Sequence, residues 1–124
     1  MNDTLNNSQI ERLMKEKNIW IATVRKNSHP HLVPIWFVWV SERFFICIGK
    51  NSVKAQNILQ NPRVCLSLED GSNVLICEGT AEEILMPWPN TVWEAFNSKY
   101  DWDIIADRDY DLLLCINPRK WLSW

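Results

Sequence analysis

The chain has 124 residues, 47% hydrophobic and 23% charged, with three glycines and a net charge of −2, which suits one packed domain and excludes disordered, collagen-like and low-complexity proteins. Charge is unevenly placed: Met1 to Arg63 carries nine Lys/Arg against four Asp/Glu (+5), and Val64 to Trp124 carries four against eleven (−7). A small anionic ligand suits the first half, whereas a nucleic-acid surface needs a clearly basic domain, so no nucleic-acid partner is expected.

Ser8-Gln9-Ile10-Glu11 has the form of a capping box, and Ile10, Leu13 and Met14 follow at helical spacing, which predicts a short amphipathic helix. Ile19 to Arg25 and His31 to Val40 are mostly β-branched and aromatic and flank the turn-like Lys26-Asn27-Ser28-His29-Pro30, the pattern of a hairpin. A third strand is expected near Phe44 to Ile48. Gly49-Lys50-Asn51-Ser52 ends it and leads into a helix with Ala55, Ile58 and Leu59 on its apolar stripe, stopped at Asn61-Pro62.

Val64, Leu66 and Leu68 then alternate with Cys65, Ser67 and Glu69. Asp70-Gly71-Ser72-Asn73 turns the chain into Val74 to Ile76, a second hairpin, and Gly79 marks a bulge. Met86-Pro87-Trp88-Pro89 breaks the strand pattern, and Thr91 to Tyr100 reads as a helix. The acidic stretch Asp101 to Asp111 reads as a solvated connection, and Leu112 to Ile116 as the last strand before Pro118. Short strands without regular strand–helix alternation point to an antiparallel barrel or sandwich with helices at its edges.

Cys47, Cys65, Cys77 and Cys115 lie far apart in apolar runs, with no CxxC pair and no metal-ligand spacing to the two histidines, so they read as buried free thiols and no metal is expected. The opening MNDTLNNSQIERL has no apolar signal segment, and no apolar run is long enough to cross a membrane as a helix. Both features fit a reducing cytoplasm. No Ser/His/Asp, Cys/His or paired-carboxylate constellation is visible, an absence that suits cofactor-borne chemistry and a non-enzyme alike.

Three segments, IATVRKNSHPHLVPIWFVW (Ile21 to Trp39), GKNSVKAQNILQNPRVCLSLED (Gly49 to Asp70) and VLICEGTAEEI (Val74 to Ile84), resemble in order and spacing the pyridoxamine 5'-phosphate oxidase-like, FMN-binding split β-barrel family. The resemblance implies a single mainly β domain over residues 1–124, a six-stranded antiparallel Greek-key split barrel with flanking helices. It also implies a cytoplasmic homodimer with two flavin sites across the subunit interface and a small-molecule substrate.

Ser52 stands where a helix N-cap belongs. The free N–H groups of Val53, Lys54 and Ala55 and the positive end of the helix dipole can therefore cradle a phosphate, with Lys50 and Lys54 adding cationic donors. The family often reads Ser-Arg-Lys here; Ser52 and Lys54 match, and Val53 replaces the arginine. The resemblance places His31-Leu32-Val33-Pro34-Ile35-Trp36 beside the isoalloxazine ring, with His31, Val33, Pro34, Ile35 and Trp36 as candidate contacts, and Cys47, Ile48 and Gly49 near the ribityl chain or phosphate. Pro34 suits an edge position, because a proline cannot donate to a sheet ladder.

Trp36 appears where related oxidases carry a substrate-contacting lysine, which argues against the vitamin B6 reaction. Trp88, Trp93, Trp102, Trp121 and Trp124 fall in the region that, in relatives, serves substrate access and the partner subunit; Trp93 and Trp124 are the first candidates to test. His29 and His31 take turn and strand-surface roles, with no catalytic assignment. The leading expectation is an FMN-dependent oxidoreductase. A deazaflavin coenzyme-dependent reductase and a non-catalytic flavin- or haem-binding protein are the alternatives, the haem reading requiring an axial ligand such as a histidine.

Overall fold

Alternation of apolar and small or polar residues produces strands, and their pairing produces a closed shape. In the computed structural model, which describes residues 5–124, the elements run α1 (Asn7–Lys15), β1 (Ile19–Val24), β2 (Pro30–Ile35), β3 (Val38–Val40), β4 (Arg43–Ile48), α2 (Val53–Gln60), β5 (Arg63–Leu68), β6 (Leu75–Glu83), α3 (Asn90–Tyr100) and β7 (Leu112–Ser123). Met1 to Thr4, part of the opening segment read above for a signal, lie outside the described residues.

The strands form one sheet in the order β2-β1-β5-β6-β7-β4-β3, every pair antiparallel. Its two edges, β2 and β3, are consecutive in the chain and joined only by Trp36-Phe37. A link that short spans roughly 10 Å, so the edges must meet and the sheet curls into a barrel with a seam between β2 and β3. The barrel expectation holds, with seven strands in place of six. The run His31 to Val40, read as one strand, is divided at the seam: β2 pairs with β1 and β3 with β4.

Inward-facing residues of both halves, among them Ile19, Ile21, Leu66, Ile46, Leu112 and Leu114, make the barrel core, to which α1 adds Leu13 and α2 adds Ala55 and Ile58. Each of the leucines and isoleucines among these, fully buried, stabilises the fold by about 1.5–3 kcal/mol. A second cluster lies on the other side of β4 and β7, where Phe45, Cys47, Leu113 and Cys115 meet Val92 and Phe96 of α3. Burial on both faces explains why these two strands read FFICI and LLLCI without alternation.

Three local readings change. The capping box forms two residues earlier, with Asn6 Oδ1 accepting from the Gln9 N–H (2.8 Å) and Gln9 Oε1 accepting from the Asn6 N–H (2.9 Å); Ser8 sits inside the first turn. The last strand continues past Pro118, because a register shift at Glu78/Gly79 absorbs the proline: Glu78 pairs with Lys120 and Gly79 with Pro118. A Cβ at Gly79 would stand 2.8 Å from the Asn117 carbonyl oxygen and 2.8 Å from Ile116 Cγ2, so glycine is required there. The stretch Asp101 to Asp111 is no simple solvated connection, since Ile104 is buried and Trp102 half-buried.

The seam is braced from α3. Tyr100 Oη accepts from the Phe37 N–H (3.0 Å) and can donate to the Lys17 carbonyl (2.7 Å) or the Phe37 carbonyl (2.9 Å). Lys99 Nζ donates to the carbonyls of Phe37 (3.0 Å) and Leu13 (3.4 Å) and lies 3.8 Å from the centre of the Phe37 ring. Lys17 Nζ donates to the Lys99 carbonyl. Burial, with the nearby Lys17 ammonium, pushes Lys99 down to about 8, and burial pushes the Tyr100 phenol up to about 12. Among the described residues no helix is long and apolar enough to cross a membrane.

A lysine with a lowered folded pKa gives up its proton sooner in the folded protein than in the unfolded chain, so it favours folding increasingly as pH rises from about 8 to its ordinary 10.5. The urea midpoint of the wild type, followed by tryptophan fluorescence, is therefore expected to gain on that of Lys99→Met across this window. Thiols and phenols that titrate there are common to both proteins and cancel. A pH-independent difference would contradict the assignment.

Candidate functional site

The seam determines where a ligand can enter. A cavity of about 410 Å³ is lined by Pro34, Ile35 and Trp36 from the end of β2 and the seam, Cys47 and Ile48 from the end of β4, Lys54 from α2, and Trp102, Asp107 and Tyr110 from the connection before β7. That size falls within the roughly 300–1,000 Å³ of small-molecule sites. Pro34 lies on edge strand β2, paired with Trp20 on one side only, so its missing N–H costs no ladder bond.

One end of the cavity is built for an anion. Ser52 caps α2: its Oγ accepts from the Ala55 N–H (3.3 Å) and donates to the Gly49 carbonyl (2.7 Å). Val53 and Lys54 begin the helix, and their N–H groups are first-turn donors with no acceptor inside it. Burial pushes Lys54 below the ordinary lysine value, and among the described residues no carboxylate lies within ion-pair distance of it. A half-buried ammonium without a counter-charge, beside a helix N-terminus, matches a phosphate in charge and geometry.

The other end is aromatic and acidic. Trp36 stacks on Tyr100 with ring centres 4.4 Å apart and planes at 7°, and meets Trp102 edge-on at 5.9 Å. Trp102 meets Tyr110 edge-on at 5.1 Å and donates its indole N–H to Asp107 (2.9 Å). Cys47 donates its thiol to the Tyr110 carbonyl (3.4 Å). Burial and the Asp107 and Asp111 carboxylates push that thiol up to about 12, which keeps it neutral and makes it a wall rather than a nucleophile.

Of the residues singled out in sequence, Pro34, Ile35, Trp36, Cys47, Ile48 and Lys54 line the cavity. Gly49, Lys50, Ser52 and Val53 form the loop and cap around the Lys54 end, where Asp111 holds the Lys50 N–H (2.8 Å) and the Gln56 side chain donates to the Lys50 carbonyl (2.8 Å). His31 is not in the lining; its Nδ1 lies 3.1 Å from an Arg25 guanidinium nitrogen. Val33 packs against the barrel core, and the His29 N–H is held in the turn by Asn27 (3.2 Å).

Among the tryptophans, Trp102 reaches the cavity, while Trp88 is buried and bonded to the Ile84 carbonyl (3.1 Å), and Trp93 packs with the second cluster. Trp121 packs on the barrel core, and Trp124 is largely exposed. Asp107 and Tyr110 were not singled out in sequence; the interruption of an acidic run by aromatic residues was the available signal. The four cysteines are free, three of them buried. Among the described residues no group of three or more His, Cys, Asp or Glu side chains is placed to hold a metal ion.

An antiparallel barrel opened along one seam, with a cavity at the seam and a helix N-terminus facing it, defines the split β-barrel class. Residues 8–124 match the family of pyridoxamine 5'-phosphate oxidase, and the chain belongs to that family. Its fold is shared by HutZ, the haem storage protein of Vibrio cholerae, at TM-score 0.80 and 19% identity over 94% of this chain and 93% of that one. An F420 reductase superimposes at TM-score 0.77 and 22% identity, covering 95% and 98%. A FAD-binding protein of Mesorhizobium loti does so at TM-score 0.69 and 16% identity, covering 94% and 90%. No curated protein gives a significant match.

An uncompensated cation held in a pocket opposes folding of the ligand-free protein. Lys54→Met is therefore expected to stabilise cofactor-free protein by at most about 1 kcal/mol, given solvent screening of a half-exposed group, read as a higher urea midpoint. A loss of stability would mean that Lys54 has a structural partner.

Proposed function

We propose that the protein is an FMN-binding oxidoreductase acting on a small molecule. The single observation that carries this reading is the pairing of an unpartnered, half-buried Lys54 with the Ser52-capped N-terminus of α2 at one end of a cavity whose remaining walls, Asp107 apart, are apolar and aromatic. Membership of the family supports a flavin-type ligand. Ser52, Val53 and Lys54 would hold the phosphate, Cys47 and Ile48 would border the ribityl chain, and Pro34, Ile35 and Trp36 would flank the ring.

When bound, the flavin supplies hydride exchange at its N5. The chain's own residues bind, orient and exclude water. Lys54 neutralises the phosphate, the capped helix directs N–H donors at it, and the rigid seam fixes Trp36. The neutral Cys47 thiol adds no charge beside the ribityl chain.

Two alternatives find less support in the residues. A deazaflavin coenzyme, suggested by the F420 reductase of similar fold, carries a longer acidic tail that would call for further basic residues at the pocket mouth, and among the described residues Lys54 is the one basic side chain in the lining. For haem, neither histidine lines the cavity.

The site is proposed to be completed by a second copy. The outward face of the β2-β1-β5-β6 region carries Leu32, Trp20, Ala22, Val24, Cys65 and Ile76, with Ser67 and Glu78 among them and Leu32 61% exposed. An apolar patch of that kind suits a self-complementary interface. A cytoplasmic location is likewise part of the proposal, consistent with free thiols.

Ser52→Ala combined with Lys54→Met is expected to weaken FMN binding by about 2–4 kcal/mol, through loss of the cap and of a charge-assisted contact. Fluorescence titration of the folded double variant measures it, and unchanged affinity would remove the phosphate-site assignment. Sedimentation of the same wild-type samples is expected to give twice the 14.6 kDa chain mass; a monomer that still binds FMN tightly would remove the shared site.

A further inference from the structure

We propose that the aromatic and acidic end of the cavity binds a small organic cation of the alkylammonium class. The inference rests on the cavity itself and not on the identity of the cofactor.

Trp36, Trp102 and Tyr110 stand as adjoining walls rather than as a stack. Trp36 and Trp102 meet at 78°, and Trp102 and Tyr110 at 85°. Ring packing alone accounts for the half-buried Trp102, which also meets Phe96 edge-on at 5.5 Å in the second core cluster. It covers one face of Trp36, stacked on Tyr100, yet leaves Trp36 and Tyr110 with 48% and 44% of their surface open although both line the cavity. Large aromatic surface left open on either side of a fixed indole is what a cation–π contact needs, because the ring faces carry the negative side of the quadrupole.

The charge beside these rings has the matching sign. Asp107 lines the same end of the cavity, and its two oxygens accept from the Trp102 indole (2.9 Å) and from the Asp109 N–H (3.1 Å). Both bonds come from neutral donors, so the carboxylate is oriented without being neutralised, and among the described residues it has no ion-pair partner. Asp111 also raises the Cys47 thiol, but it accepts the Lys50 N–H in the loop beside α2 and does not line the cavity, so Asp107 is the carboxylate at this end. Lys54, the cationic side chain in the lining, belongs to the anion end.

An anionic substrate at the aromatic end would meet Asp107 with no cation to offset it, and a neutral aliphatic one would leave the carboxylate uncompensated. A compact, weakly hydrated ammonium satisfies both the rings and the charge. The cavity thus separates its ligands by sign: phosphate toward Lys54, cation toward Asp107.

The test uses full-length, flavin-free protein titrated with choline and, in parallel, with the uncharged tert-butyl analogue of choline, followed by tryptophan fluorescence and calorimetry. Choline is expected to bind about tenfold tighter than its neutral isostere, and Asp107→Asn to reduce that preference severalfold. An asparagine carbonyl can still accept the Trp102 N–H, so the variant keeps the indole in place. Tyr110→Leu, at an exposed ring, gives an independent reading and is expected to weaken choline severalfold.

Equal binding of choline and its isostere, binding of neither, or a preference indifferent to both substitutions would overturn the inference. Because no flavin is present, such a failure is separate from failure of the FMN titration, which reads the Lys54 end.

Discussion

The two residues Trp36 and Phe37 carry the constraint on which the rest of the structure depends. They take the chain from one edge of the sheet to the other, so the sheet has to curl, and a gap has to remain where β2 and β3 would otherwise pair. A seam is a liability, because edge strands expose unpaired backbone groups. Here Tyr100 satisfies the Phe37 N–H, Lys99 donates to the Phe37 carbonyl, and the Tyr100 ring stacks on Trp36. The end of α3 is thus coupled to both the fold and the cavity wall.

The cavity inherits its chemistry from the elements that the curl brings together. The N-terminus of α2 contributes a capped first turn and the Lys54 ammonium, and the connection before β7 contributes two rings and the Asp107 carboxylate. A cation kept in a pocket without a counter-charge opposes folding slightly, and such positions mark function more often than stability. The Cys47 thiol in the lining, donating to the Tyr110 carbonyl, is held neutral by burial and by the Asp107 and Asp111 carboxylates.

What could be read in sequence was what depends on neighbours along the chain. The Ser52 cap, α2, the β5–β6 turn held by Asp70 and the edge placement of Pro34 all follow from short-range chemistry. The division of His31 to Val40 into two strands did not show, because apolar and aromatic residues continue without a break through Trp36 and Phe37 and only tertiary closure separates them. Pro118 read as a stop because the bulge that accommodates it depends on Gly79 across the sheet. The acidic run Asp101 to Asp111 hid Trp102, Ile104 and Tyr110: charge density outweighs three apolar side chains in a one-dimensional reading, while in space Ile104 joins a core and the other two face the cavity. Six of the candidate contacts line the cavity, and those beside them in the α2 loop owe their place to the capped turn rather than to contact with the lining.

The central claim is that the Lys54 end of the cavity recognises the phosphate of FMN. Titrating cofactor-free protein with FMN and with riboflavin, which share the ring and differ in the phosphate, tests it directly. The account predicts saturable FMN binding at least about tenfold tighter than riboflavin, as expected for charge-assisted hydrogen bonds to a phosphate. Equal affinities, or no binding of either, would contradict it.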